Sequence, residues 1–315
     1  MRLTMRAYQT EDDYWRIRAF LREVLLLNDR RELSWSVARL DYWRWHCIEN
    51  CQSCAPVEKV TFIWETGDGQ IAAVLHPEEA GQGYLQIHPA FRSMELEEEM
   101  IAQAEERLAI PRGDEKALYI WARPEDVLRV DVLTRRGYTR GRWAARVWQR
   151  DLNTPISAVP QAEGYIIRSL GNVDELPSRS WASWRAFHPD EPDERYEGWD
   201  WYHNIQRMPL YRRDLDIVAV APTGEIASFC TFWYDDVTRS AYIEPVGTVP
   251  EHQRRGLARA AITEGLRRLQ RMGGTRAFVC GYEVSANALY AVVMSPAHGL
   301  FEQWVKEWSY GRPAL

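Results

Sequence analysis

Hydrophobic positions along this chain recur in two periods, three-to-four and two, and the order of those periods is itself repeated. In residues 11–27, Tyr14, Ile17, Phe20, Leu21 and Val24 fall three and four apart, which predicts a helix with one apolar stripe. A second helix is expected over 35–47. Residues 60–64 and 70–75 are β-type runs on either side of Thr66-Gly67-Asp68-Gly69 and read as a hairpin. Strands at 5–8, 83–88, 117–121 and 143–148 and helices at 95–108 and 124–133 complete the first half.

Residues 151–164 hold Pro155, Pro160 and Gly164 among small and polar residues and read as a linker. Then the order starts again. A strand is expected at 165–168, a helix at 176–187, and a hairpin from 216–220 and 225–234 around Pro222-Thr223-Gly224. A strand at 242–249, a helix at 254–272 and a strand at 276–280 follow. The offset is 162 from Arg6 to Arg168, 161 from Pro89 to Pro250 and 160 from Ala117 to Ala277. Two unrelated folds would not hold it, so a duplicated α/β unit of about 150 residues accounts for the chain. The expected division is 1–152, a linker at 153–164, and 165–315.

The second copy carries a chemical feature that the first lacks. The apolar residues 240–248 lead into Val249-Pro250-Glu251-His252-Gln253-Arg254-Arg255-Gly256-Leu257-Ala258, and beyond Arg259 Ala261, Ile262, Leu266 and Leu269 recur at helical spacing. A strand thus feeds a basic, glycine-bearing turn that opens a helix. The first N–H groups of a helix have no partner within it, and its dipole places partial positive charge there. Arg254 and Arg255 add full charges, so the turn suits phosphate. A side chain at 256 would take up the ligand's space, and Gly256 has none. Two arginines oppose the dipole at a helix start, which argues for an expected anion over an ordinary N-cap.

Composition narrows the class. The 315 residues are 46% hydrophobic and 27% charged, ordinary values for a globular chain. A net charge of −6 argues against general nucleic-acid binding and makes the basic turn a local feature. Apolar runs fall short of a membrane span, and the N-terminus leads directly into charged sequence, so a cytoplasmic protein is expected. Five cysteines do not suggest a disulfide framework. Cys47, Cys51 and Cys54 cluster beside His46, at a spacing also found in radical-SAM enzymes and compatible with zinc. Reduced cysteines at a helix end are the simpler reading, and no metal is expected.

Gln253-Arg254-Arg255-Gly256-Leu257-Ala258 resembles motif A of the GNAT (Gcn5-related N-acetyltransferase) superfamily, Q/R-x-x-G-x-G/A. The preceding hairpin, the following strand and Asn287-Ala288-Leu289-Tyr290 extend the match over 165–310. The first half resembles the fold in outline, notably in Leu133-Thr134-Arg135-Arg136-Gly137-Tyr138. The resemblance implies an α/β (α+β) protein of two tandem GNAT-like domains, each a mixed, mostly antiparallel sheet flanked by helices. The N-terminal domain would be degenerate, a layout that also occurs in mycothiol synthase.

The resemblance implies acetyl-CoA as co-substrate. Amides of Arg254, Arg255, Gly256, Leu257, Ala258 and Arg259 would hold the pyrophosphate, and main-chain groups of Val246, Gly247, Thr248 and Val249 would pair with the pantetheine arm. Tyr290 matches the tyrosine that protonates the leaving thiolate in many members. The family's glycine usually stands four residues after it, whereas Gly299 stands nine after, so 294–298 would be an insertion. Asn287 would cap its helix and lie near the pantetheine. Glu244 is the candidate base, with a water chain or His188 as alternatives. Alternation puts Glu244, Val246 and Thr248 on one strand face and Ile243 and Pro245 on the other, provided no bulge intervenes.

The first half serves as a control. Placing Pro89 on Pro250 sets Met94 at Arg255, Glu95 at Gly256 and Glu97 at Ala258, with Glu98 and Glu99 behind. Repulsion between unit charges a few ångströms apart is worth about 1 to 4 kcal/mol. The counterpart of Tyr290 is Val130 or Thr134. The first half is therefore expected not to bind acetyl-CoA by this route. Residues 188–202, acidic and aromatic, would set the acceptor, and such walls suit an amine. The leading expectation is acetyl transfer to a primary amine of a small molecule or peptide, by a monomer with an internal pseudo-dimer or by a homodimer. Transfer of another acyl group or to an alcohol, a non-catalytic acyl-CoA-binding or regulatory module, and a metal protein built on the cysteines stay open.

Overall fold

The computed structural model describes residues 2–309. The chain forms two compact units, one of residues up to Val147 together with those from Gly299 onward, the other Trp148–His298. These units are not the two contiguous halves expected from the repeat. The last strand of the chain belongs to the first unit.

In the first unit the elements are β1 (Thr4–Ala7), α1 (Glu11–Leu27), α2 (Val37–Tyr42), α3 (Val57–Val60), β2 (Phe62–Glu65), β3 (Ile71–His76), β4 (Gln82–Ile87), α4 (Met94–Arg107), β5 (Ile110–Arg112), β6 (Glu115–Ala122), α5 (Val127–Arg135) and β7 (Thr139–Asp151). The helix expected over 35–47 is shorter: α2 ends at Tyr42 and continues as a π-turn over Trp43–Ile48. Strand order is β1-β2-β3-β4-β6-β13-β7, with β5 beside β6. Here β13 (His298–Ser309) runs antiparallel to β6, Trp304 opposite Ile120. Met100, Ile101 and Ala104 of α4 pack with Leu75, Leu118, Ile120 and Trp304 in one core.

The second unit comprises the end of β7 from Trp148, then β8 (Ile166–Ser169), α6 (Leu176–Phe187), α7 (Tyr202–Gln206), β9 (Asp216–Val220), β10 (Ile226–Asp235), β11 (Ser240–Thr248), α8 (Leu257–Arg271), β12 (Arg276–Gly281) and α9 (Val284–Val293). The order β12-β11-β10-β9-β8 is antiparallel except for β11–β12. Ala261, Ile262, Leu266 and Leu269, the residues that predicted the helix, seat α8 on Cys230, Phe232 and Ile243. Gly265 permits that approach, because a Cβ there would lie 1.9 Å from the Phe232 ring. Both units thus carry the mixed, mostly antiparallel sheet with flanking helices that was expected.

Two features of the second unit position its site. β11 pairs with β10 to its end, yet with β12 only over 240–242 against 276–278, so β11 and β12 part beyond Tyr242. The register with β10 also shifts, Cys230 facing Val246 while Phe232 faces Ile243. Among the described residues, no helix is long and apolar enough to cross a membrane.

Candidate functional site in the second unit

The basic turn after β11 is built differently from a plain helix start. Pro250–His252 makes one 3-10 turn, and α8 begins at Leu257, three residues later than expected. Gly256 is its N-cap at φ +76°, and Arg254 also has positive φ, +63°. Left-handed residues flanking Arg255 turn successive N–H groups toward one concave face. The first capture is Ala260 N–H by the Gly256 carbonyl at 3.0 Å. Among the described residues, the six amides from Arg254 to Arg259 have no hydrogen-bond acceptor. Arg254, Arg255 and Arg259 are exposed. Nothing lies within 4 Å of a Cβ added at Gly256, so what demands glycine inside the fold is its backbone angle, and its missing side chain leaves the concave face open.

β11 leads into this turn along its unpaired edge. Gly247 admits the Phe229 ring, which a Cβ would meet at 2.3 Å. Ser228 donates to the Gly247 carbonyl at 2.7 Å and bonds the Thr248 hydroxyl at 2.9 Å, and Gln253 reaches the Thr248 carbonyl at 3.3 Å. The Ser228 bonds fix the strand end from the β10 side, and Gln253 closes the Thr248 carbonyl from the turn. The expected strict alternation is corrected: the bulge inserts Glu244 and Pro245 opposite Thr231, so Ile243 and Val246 both turn to the α8 core. The Trp233 indole donates to the Glu244 carbonyl and holds the bulge.

Tyr290 and Asn287 stand on α9. Tyr290 is buried, and its phenol is pushed up, first by burial and then by Cys230, Glu244 and Cys280 nearby. The charge of Glu244 is thus felt at the Tyr290 hydroxyl. Asn287 does not cap α9, because Glu283 is the N-cap. Its Oδ1 instead accepts the Trp148 indole N–H at 2.8 Å, and its Nδ2 donates to the Gly281 carbonyl at 3.3 Å. A Cβ at Gly281 would press on Asn287 at 2.5 Å and on Tyr290 at 3.1 Å. Trp148, Asn287 and Gly281 thus lock the end of β12 against α9.

Residues 174–292 match the acetyltransferase (GNAT) family. That match lies within the second unit. Over nearly the whole chain, solved structures of that fold are also similar to this one. A GCN5-related N-acetyltransferase from Sphaerobacter thermophilus is 19% identical, with TM-score 0.64, over 98% of this chain and 96% of its own. A tandem GNAT protein from the clavulanic acid biosynthesis pathway is 15% identical, with TM-score 0.64, over 98% and 100%. Saccharomyces cerevisiae N-myristoyltransferase with bound myristoyl-CoA is 12% identical, with TM-score 0.55, over 98% and 79%. Among curated protein sequences, none matches this chain. The tandem GNAT layout therefore holds for the fold of both units.

The first unit fills the corresponding places with its own side chains. Superposing helix starts sets Ser93 at Gly256 and Glu97 at Ala260, two residues away from the correspondence drawn through the prolines. The Ser93 hydroxyl caps the Leu96 N–H at 3.2 Å. Glu97 is fully buried and takes Arg92 Nε at 2.8 Å and Arg129 Nε at 2.8 Å. Arg129 also donates to the Leu85 carbonyl on β4 at 3.4 Å, and Gln86 accepts the Trp35 N–H at 2.8 Å. Counting from the N-caps of α5 and α9, Asp126 and Glu283, pairs Leu133 with Tyr290.

Other expected residues fall elsewhere. Of residues 188–202, Tyr202 is buried and donates to Asp216 Oδ2 at 2.6 Å, as Tyr211 does at 3.1 Å. Arg179 and Thr231 hold Asp216 Oδ1 at 3.3 and 3.0 Å. This network pins α7 and its loops to the sheet, and sequence reading missed it because its five members lie on five separate segments. His188 is bonded back to the Trp184 carbonyl at the end of α6. Near the π-turn, Cys51 Sγ lies 3.6 Å from His46 Nε2, but no group of three or more His, Cys, Asp or Glu among the described residues could hold a metal.

Proposed function

We propose that this chain is an acetyl-CoA-dependent N-acetyltransferase whose one working site lies in the second unit. The observation that carries the reading is the run of six unpaired amides over 254–259, beside three exposed arginines and the parted strands β11 and β12. Six N–H groups without acceptors are costly unless solvent or an anion completes them, and a pyrophosphate offers oxygens at the required spacing. The pantetheine arm would lie along the free edge of Val246, Gly247, Thr248 and Val249, with its amides replacing the missing β12 pairing. Asn287 would act by holding β12 open rather than by capping.

The chemistry divides between two side chains. Glu244 takes a proton from the acceptor ammonium, directly or through a water, and the freed amine attacks the thioester carbonyl carbon. As the tetrahedral intermediate collapses, the carbon–sulfur bond breaks, Tyr290 gives its proton to the leaving thiolate, and the proton shed by the newly acylated nitrogen restores the phenol. Burial keeps the phenol protonated at neutral pH. Once Glu244 holds the acceptor proton its charge is gone, and one of the influences that raise the Tyr290 phenol disappears. Proton uptake at the base thus strengthens the acid when it is needed.

The test is release of free CoA thiol from acetyl-CoA over a panel of primary amines, with Gly256→Glu as the blank. Turnover with at least one amine, absent in the variant, is expected. No turnover with any amine, alongside intact acetyl-CoA binding, would replace the enzyme with a binding module.

A further inference from the structure

Beside the Val249–His252 turn, on the side of α6, lies an open cleft of about 280 Å³ lined by Trp181, Arg185, Asp193, Glu225, Glu251 and His252, among others. It belongs wholly to the second unit. Its volume approaches that of a small-ligand site and accommodates an alkylammonium or guanidinium group.

An accounting of the charges decides what it can hold. Arg185 is already committed, to Glu251 at 3.1 Å and to the Pro189 carbonyl at 3.2 Å. Both His252 ring nitrogens are engaged as well, Nδ1 with the Tyr165 hydroxyl at 2.8 Å and Nε2 with Glu225 at 2.9 Å. The positive groups are therefore spent within the wall. The carboxylates keep spare capacity: Glu225 and Glu251 each give one oxygen to those pairs while their side chains stay 57% and 61% exposed, and exposed Asp193 has no side-chain partner among the described residues. Trp181 is held by stacking on Trp184 at 5.4 Å and edge-on contact with Tyr196 at 5.1 Å. A fixed indole beside carboxylates with spare capacity attracts a cation through both charge and its π face.

We propose that this cleft binds a cationic group, an ammonium or guanidinium, that belongs to the acceptor but is not the nitrogen acetylated. The assignment rests on the amine-acceptor reading above and deepens it. Val249 follows Glu244 by five residues of strand, roughly 16 Å at about 3.3 Å per residue. An acceptor reaching from Glu244 to the cleft is an extended polycation, with two positive groups separated by about that distance. A long polyamine and a basic peptide share this chemistry.

The experiment measures binding to the full chain without acetyl-CoA, by titration calorimetry and tryptophan fluorescence. The probes are spermine, a lysine-rich peptide and, as control, propylamine. We expect spermine or the peptide to bind at least tenfold more tightly than propylamine, and the binding to weaken about tenfold in both Asp193→Asn and Glu225→Gln. Which polycation binds identifies the source of the cation. Binding of neither, or binding that both variants leave unchanged, would overturn the assignment. Because the readout needs no turnover, failure of the acetyltransferase reading would show separately in the thiol assay. Glu225→Gln should raise KM for a polycationic acceptor while kcat with a short amine stays unchanged. A polycationic acceptor whose KM did not move would also overturn it.

Discussion

Each unit begins a helix a few residues after a strand, and the two treat that helix start in opposite ways. At Gly256 the second unit presents six unpaired amides and exposed arginines. At Ser93 the first unit caps one amide with a hydroxyl, and buries Glu97 nearby between Arg92 and Arg129. Arg129 reaches on to the Leu85 carbonyl of β4. One helix end leaves its amides without acceptors, and the other has anion and cation supplied by its own chain. The same fold can therefore carry an open turn or a self-contained ion-pair core, depending on a few residues around that turn.

The largest effect should come from removing the internal anion. Breaking a buried ion pair by deleting one partner leaves a charge without compensation and costs about 3 to 5 kcal/mol. Glu97→Ala should lower the urea midpoint of the full chain accordingly, and sulfate should recover part of the loss by occupying the vacated place beside Arg92 and Arg129. Equal sulfate effects on both proteins would break the comparison.

In the second unit, Tyr290→Phe should reduce kcat about a hundredfold with little change in acetyl-CoA affinity, as expected when a proton donor is lost and packing is kept. Unchanged kcat would remove Tyr290 as the acid.

A smaller and pH-dependent contrast lies inside the first unit. Burial pushes the Glu32 carboxyl up to about 7, against an ordinary value near 4.5. Between those values the folded chain holds a proton that the unfolded chain releases, so this residue lowers stability as pH rises from about 4.5 to about 7. Burial pushes buried His76 down from 6.5 to about 4. The unfolded chain then takes up a proton that the folded chain refuses, and stability is lost as pH falls from about 6.5 to about 4. The two slopes oppose each other over nearly the same window. Glu32→Gln should expose the His76 slope alone, with the variant gaining on the wild type as pH rises; parallel stability profiles would contradict this.

Much of the fold was legible because its signals are local. The apolar stripe of α1, the glycine-bearing hairpin turns and the glycine of the basic turn each act within a few residues. What was hidden depends on distant partners. β13 joins the first unit because Trp304 meets Ile120, a pairing that no local pattern announces. Asn287 looked like a cap, but its partner Trp148 lies 139 positions away. The bulge at Glu244 is fixed by Trp233 on the neighbouring strand, and it changed which residues share a face. Glutamates near Ser93 were visible in sequence as like charges repelling a phosphate. Only the fold shows that Glu97 is inside and paired.

The central claim is a single open cofactor turn per chain, and titration calorimetry of acetyl-CoA into the full chain tests it most directly. The expected result is one site per chain in the wild type, with affinity reduced at least about a hundredfold in Gly256→Glu. That variant places a carboxylate among the six amides and a side chain at a left-handed backbone position. Two sites per chain, or wild-type affinity in Gly256→Glu, would contradict the account.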